Sequence, residues 1–328
     1  MIHGNKPGTH GQRLSANGGR QHSPSSTMSG ETQIADLSKE RSRLRVTGGD
    51  RVTFLHGQCT NDIKRLRLGE SCYAAFLNAK GKMRGEGHII CLEDAFLLEV
   101  NVGLAPSLEK FIITEDVVIE DVSATMGEWL VVGAASPPRP DRPIAAWTPL
   151  LQLTFAHVLG FGMMSATAMT PTISPEQLEV LRVEAGVPKW GVDMDENTIP
   201  IEAGLEQRAI SYDKGCYIGQ ETIARINTYG HVNRRLVQLE LRSPLTRPAD
   251  TLSPRDARGE GWGEGSLPVR GEKIYADDRE VGHVTSAAFS LRLGKPVALG
   301  YVRRDVAKPG TKLRIGEQEA EVIKLCGE

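Results

Sequence analysis

From Leu44 onward the chain alternates between strand-like and helix-like spacing of its apolar positions. Leu44-Arg45-Val46 reads as a short strand, Gly48-Gly49 turns the chain, and Asp50 is placed to cap a helix carrying Val52, Leu55 and His56. Tyr73 to Leu77, Met83 to Cys91 and Phe96 to Val100 read as three strands. The turns between them, Asn78-Ala79-Lys80-Gly81 and Glu93-Asp94, are short enough to make the strands antiparallel neighbours. A helix over Pro106 to Ile113 follows, with Pro suited to its first turn, then strands over Val117 to Val122 and Trp129 to Val132. Two helices on an antiparallel sheet predict an α+β layer of ferredoxin-like type.

Residues 134 to 149 are a proline-rich connector. Ser174-Pro175-Glu176-Gln177 then predicts a helix start: Ser174 as N-cap, Pro175 in the first position, Gln177 closing a capping box. That helix carries Leu178, Leu181 and Arg182 up to Gly186. Residues 187 to 215 read as a long loop of the kind that carries function. Val232 to Leu241 opens an all-β section, interrupted by Ser243 to Gly271, a low-complexity insertion expected to be disordered, dispensable for folding and to leave Trp262 exposed. Lys273 to Tyr275, Val281 to Ala288, Val297 to Val302, Lys312 to Ile315 and Glu321 to Leu325 predict a small barrel or sandwich. The expected organisation is a disordered leader over 1–33, with Met28 a second candidate start, and an N-terminal α+β lobe over 34–133. The connector at 134–149, a second α+β lobe over 150–231 and a C-terminal β unit over 232–328, holding the insertion at 243–271, complete it.

The 328 residues are 40% hydrophobic and 24% charged, an ordinary globular mixture with a formal net charge of −2. That balance gives no global attraction to nucleic acid or to an anionic membrane, and a monomer is expected. The five cysteines (59, 72, 91, 216 and 326) include no C-x-x-C pair. They argue against a disulfide framework and against a zinc or iron–sulfur site built by this chain alone. His56 has no second ligand at a metal spacing and reads as a helix-surface or core residue. With no membrane-length apolar run and no secretory core at the N-terminus, the expected compartment is the cytoplasm.

The chemistry concentrates in Lys214-Gly215-Cys216-Tyr217-Ile218-Gly219-Gln220-Glu221, followed by Thr222-Ile223-Ala224-Arg225. Gly215 can take backbone angles closed to other residues, and Gly219 allows a second backbone or a ligand to come close. Ile223 and Ile226 recur at helical spacing from Gln220, which puts Cys216 just before a helix N-terminus. Lys214 and that helix end would both favour a thiolate, so Cys216 is expected to titrate below the ~8.5 of a free cysteine. A small buried cysteine in a tight turn is the plainer reading of a lone thiol; the flanking Lys, glycines and Gln-Glu pair favour function.

The octapeptide resembles the K-G-C-[YF]-x-G-Q-E signature of the YgfZ-type folate-binding proteins, relatives of the glycine-cleavage T-protein (aminomethyltransferase). Phe54-Leu55-His56-Gly57-Gln58-Cys59-Thr60-Asn61-Asp62, Leu77-Asn78-Ala79-Lys80-Gly81-Lys82, Arg182-Val183-Glu184-Ala185-Gly186 with Thr198-Ile199-Pro200-Ile201-Glu202, Gly282-His283-Val284-Thr285-Ser286 and Ala298-Leu299-Gly300-Tyr301-Val302 resemble segments shared across that superfamily. The resemblance implies a GcvT-like, three-lobed α+β fold around a central channel for tetrahydrofolate, ending in a small β-barrel. It implies a role in building or repairing iron–sulfur clusters in client enzymes, tRNA-modifying ones included, through transient contacts. A folate-dependent one-carbon transferase and a non-catalytic folate scaffold are the alternatives.

By the same resemblance Cys216 and Lys214 carry the chemistry and Glu184 matches the pterin-binding glutamate. A carboxylate suits a pterin, whose amino group and ring N–H lie side by side. The anionic glutamyl tail calls for cations, with Lys214 and Arg225 as candidates, and Gln220 and Glu221 complete the expected folate contacts. One departure counts against transfer chemistry. The T-protein has an Asp-Asp pair after the glycine turn, one of them catalytic; here the pair falls on Gly85-Glu86. The extra methylene of Glu86 misplaces a carboxylate, and small misplacements are costly in catalysis.

Overall fold

The computed structural model describes residues 32–132, 152–157, 159–242 and 267–327, with 152–156 described by backbone alone. Residues 1–31 of the leader, with Met28, the 134–149 connector and the insertion at 243–266, with Trp262, lie outside the described residues. In order, the chain forms β1 (Gln33–Asp36), β2 (Arg41–Thr47), α1 (Arg51–Gln58), β3 (Ser71–Leu77), β4 (Met83–Cys91), β5 (Phe96–Asn101), α2 (Ala105–Glu109), β6 (Val118–Asp121) and β7 (Gly127–Val132). After these come β8 (Gln152–His157), β9 (Gly160–Ser165), α3 (Pro175–Ala185), α4 (Glu206–Ala209) and α5 (Gln220–Tyr229).

Strands β3-β4-β5-β2-β6 make one antiparallel sheet, and β1-β7-β9-β8 make a second. Strand β3 of the first sheet packs apolar side chains on both faces, because alternate residues of one strand point opposite ways. Ala74 and Phe76 meet Phe54 and Leu55 of α1, whereas Ala75 and Leu77 meet Ile201, Leu205, Tyr217 and Ile223. Strand β7, expected in the first sheet, belongs to the second, where it pairs with β1 and β9. Periodicity alone does not reveal β1, β8 or β9.

Local chemistry explains where elements start and stop. Ser174 accepts from the Gln177 N–H while Gln177 accepts from the Ser174 N–H, so the capping box forms, and Gly186 ends α3 in the left-handed region at φ 73°. Asp50 does not cap α1 with its side chain; its carboxylate accepts from the Asp116 N–H at 2.8 Å instead. Helix α2 stops at Glu109, short of the expected Ile113; beyond it Ile112 still packs on the core, whereas Ile113 is 85% exposed.

The C-terminal strands β10 (Arg234–Arg242), β11 (Lys273–Ala276), β12 (Arg279–Ser290), β13 (Lys295–Arg303), β14 (Lys312–Ile315) and β15 (Gln318–Leu325) close into a barrel in the order β10-β13-β12-β11-β14-β15. Val237, Leu239, Leu241, Ala298 and Val302 fill its interior, while Leu236, Leu299 and Tyr301 turn outward to a second cluster with Val183 of α3. A buried polar network fixes this docking. Asp193 accepts from Ser286 at 2.7 Å, from Arg182 at 2.6 Å and from Thr285. The Thr285-Ser286 segment is thus structural, tying the barrel to α3 and the loop after it. Among the described residues no helix is long and apolar enough to cross a membrane.

Candidate functional site

A cavity of about 220 Å³ lies among β2, β3, β4, β5, β7, β8, α3 and α4. Its floor is a network of buried charges. The Arg41 guanidinium sits between Glu86 and Glu99, donating through Nε to Glu99 and through both terminal nitrogens to Glu86. Tyr73 gives its hydroxyl proton to Glu86 at 2.6 Å, and His88 Nδ1 lies 2.8 Å from Glu99. Burial alone would raise the Glu99 pKa, but the Arg41 charge outweighs it and holds the carboxyl well below the usual range. Burial pushes His157, on the same wall, down to about 3, so it is neutral at physiological pH. The upper walls are apolar and aromatic, with Leu37, Leu130, Leu159, Leu178 and Trp190.

Glu86 occupies the place of the T-protein's catalytic aspartate in the resemblance. It is 4% exposed, and its two oxygens already accept from Arg41 and Tyr73. A carboxylate so engaged is an ion-pair partner rather than a free base.

The motif around Cys216 lies apart from this cavity. Cys216 is exposed and lines a separate surface depression with Thr53, His56, Gly57, Asp62 and Lys64. Lys214 is buried, and its ammonium donates to the carbonyls of His56 at 2.7 Å, Cys59 at 2.6 Å and Asn61 at 2.9 Å. All three of its protons are therefore committed to the C-terminal end of α1, where unsatisfied carbonyls and the helix dipole favour a cation. Burial lowers the Lys214 pKa. The expected pairing of Lys214 with a Cys216 thiolate is replaced by this capping role. Gly215 has no left-handed backbone; a Cβ there would stand 3.7 Å from His56 Nε2. Gly219 does need its freedom: its φ is 85°, and a Cβ would come within 2.5 Å of the Asn78 carbonyl oxygen.

The expected folate contacts are not gathered at the cavity. The Glu184 carboxylate pairs with Arg292 at 3.3 Å, beside the barrel. Arg225 and Glu221 pair with each other on the outer face of α5 at 2.7 Å, and Gln220 begins that helix; none of the four lines the cavity. Its polar lining is instead Glu40, Arg41, Tyr73, Glu86, Glu99, Asn101, His157, Glu179, Arg182, Lys189 and Arg208. A sequence signal for part of this set existed. Glu99 is the one charged residue in Phe96-Leu97-Leu98-Glu99-Val100, and a carboxylate inside an apolar strand calls for a buried cation.

Residues 234–325 match the glycine cleavage T-protein C-terminal barrel domain. Over the longer chain, the aminomethyltransferase T of the glycine cleavage system from Bartonella henselae superposes with a TM-score of 0.68 at 20% identity, covering 90% of this chain and 86% of that one. The fold is that of the glycine-cleavage T-protein. Similar sequences include a chloroplastic protein of Arabidopsis thaliana, 26% identical over 88% of this chain and 69% of the relative. An aminomethyltransferase of a Nostoc species is 23% identical over 90% of this chain and 82% of its own length. The mitochondrial iron-sulfur cluster assembly factor IBA57 of Mus musculus is 28% identical over 65% and 67%. Within the T-protein fold, then, this chain puts an Arg41-bound glutamate in the central cavity and an exposed thiol outside it.

Proposed function

We propose that this chain binds tetrahydrofolate in the charged cavity and supports assembly or repair of iron–sulfur clusters in client enzymes, tRNA-modifying ones among them, without transferring an aminomethyl group. The observation that carries the reading is Glu86: the carboxylate standing for the catalytic aspartate is locked in an ion pair with Arg41. The cavity suits a planar heterocycle, since Trp190 and the leucines offer apolar walls above a polar floor. When bound, folate would bring a carrier for one-carbon units, while the chain's own residues bind and orient it. Cys216 is the group offered to partners. One thiol cannot hold a cluster alone, so the contact is transient and shared with a partner's ligands or glutathione. Likeness to the mouse assembly factor supports this reading.

Likeness to the Nostoc aminomethyltransferase supports the alternative of a folate-dependent one-carbon transferase, and a non-catalytic folate scaffold is the third reading. We place the protein in the cytoplasm as a monomer that binds neither nucleic acid nor membrane; relatives in the mitochondrion and chloroplast make targeting a point to test. The deciding assay supplies tetrahydrofolate and an aminomethylated carrier protein. No ammonia release is expected, and release at a transferase rate overturns the proposal. In cells, Cys216→Ser is expected to lower client-enzyme activity; full activity would favour the scaffold.

A further inference from the structure

Four cationic side chains line the cavity: Arg41, Arg182, Lys189 and Arg208. Three are matched by carboxylates. Arg41 lies between Glu86 and Glu99, Arg182 is held by Glu179 and Asp193, and Lys189 pairs with Glu40 at 2.8 Å. Arg208 has no carboxylate partner among the described residues. Its guanidinium lies over the Tyr73 ring, 4.0 Å from the centroid, and its Nε is buried with no hydrogen-bond partner. The Tyr73 hydroxyl is already given to Glu86. Four carboxylates line the cavity too, but each is held by Arg41, Arg182 or Lys189, so none is in direct contact with the Arg208 guanidinium among the described residues.

A buried guanidinium N–H left without an acceptor is costly, and such a group calls for a water, an ion or a ligand. Nε–H and a neighbouring Nη–H form the flat fork that grips a carboxylate or phosphate with two parallel hydrogen bonds. The backbone that carries it is held in place. Asn61 donates to the Arg208 carbonyl at 3.2 Å, and the buried Thr60 hydroxyl donates to the Ala209 carbonyl at 2.6 Å. The Tyr73 ring fixes the side chain from one face. The fork is thus oriented before a ligand arrives, which lowers the ordering cost of binding.

We propose that Arg208 is the cavity's anion receptor and takes a carboxylate of the ligand. This assignment rests on the folate reading for the ligand's identity: the pterin is uncharged, so the anionic group meeting Arg208 is a carboxylate of the glutamyl end. It also explains why Lys214 and Arg225, the cations expected from sequence, are not needed there. Both are committed elsewhere, to backbone carbonyls and to Glu221.

Calorimetry on the full chain tests it, with tetrahydrofolate, a tetrahydropterin lacking the aminobenzoyl-glutamate arm, free glutamate and inorganic phosphate as probes. Arg208→Gln should weaken tetrahydrofolate binding tenfold or more, as expected for a lost charged hydrogen bond, and leave tetrahydropterin within twofold. Arg208→Lys keeps the charge without the fork and should fall between; it also carries the comparison if the Gln variant melts early. Unchanged tetrahydrofolate affinity in Arg208→Gln, or an equal loss for both pterins, overturns the receptor. If the wild type binds no folate at all, that sinks the folate reading by itself. Arg208-dependent binding of glutamate or phosphate would then still uphold the receptor, and its absence would sink it as well.

Discussion

Lys214 donates to the carbonyl of Cys59 over 2.6 Å, at the point where α1 ends. With the carbonyls of His56 and Asn61 it completes a three-acceptor cap on a single buried ammonium. The lysine of the motif therefore works on the fold. Lys214→Met should strand three carbonyls and destabilise the protein by about 2–4 kcal/mol, a fall in melting temperature of roughly 5 °C. Cys216→Ser, at an exposed position, should stay within about 0.5 kcal/mol of wild type. Thermal melts of both variants make the check; equal melting of Lys214→Met and wild type would dismiss the cap.

Arg41 holds two carboxylates at once, and its removal should be among the most damaging changes in the cavity. Arg41→Met leaves Glu86 and Glu99 buried side by side with no cation between them, a loss of about 3–5 kcal/mol at neutral pH. The pH dependence has a definite sign. In the wild type Glu99 has a depressed pKa, so its contribution is present above the unfolded value of ~4.3 and is lost as pH falls through the folded one. In the variant the carboxyls have raised pKa values, so the variant is penalised as pH rises through them. Denaturant melts from pH 7 to 4 should show the two proteins converging on acidification; a constant gap would count against the ion-pair account.

Much of the scaffold was legible because the determinants are local. The strand Met83–Cys91, the α3 capping box and the barrel strands follow from alternation and capping chemistry within a few residues. Strands β1 and β8, each short and set at an edge of its sheet, are specified by pairing with distant partners and were not legible. The site divides in the same way. The Cys216 motif stood out as a string, yet its internal division of labour did not: Lys214 serves α1 and Gly219 the turn at Asn78, while the Cys216 thiol is exposed. The cavity charges come from β2, β4, β5 and α4, far apart in sequence, so only the fold brings Arg41 to Glu86 or Arg208 to Tyr73.

His157 should make the protein acid-sensitive within a defined window. Burial depresses its pKa to about 3, whereas the unfolded chain takes up the proton near ~6.5. Between those values the unfolded state binds more protons, so stability rises with pH and is lost as pH falls below ~6.5. The loss from this one group amounts to about 2 kcal/mol between pH 6.5 and 5, at 1.36 kcal/mol per pH unit. His56 and His283, also depressed by burial, add in the same direction. His157→Gln, which cannot titrate, should show a visibly flatter stability profile over that interval. An unchanged slope would mean that His157 is reached by water and titrates normally.

Cys216 should be the first thiol to react, for reasons of exposure rather than of a paired lysine. Cys59 and Cys326 are buried, Cys72 and Cys91 half-buried, and burial pushes all four thiols up, Cys326 to about 12. An alkylating reagent at pH 7.5 should therefore label Cys216 at least tenfold faster than any of them, because the thiolate is the reacting form and access is needed as well. Folate should not protect it. Cys216 lines the depression beside α1, and the cavity assigned to tetrahydrofolate is lined by a different set of residues. Mass-spectrometric labelling with and without saturating tetrahydrofolate separates the cases: equal rates fit two separate sites, one for the cofactor and one for partners. Strong protection by folate would join the two sites and require the ligand to reach past Lys214 to the thiol.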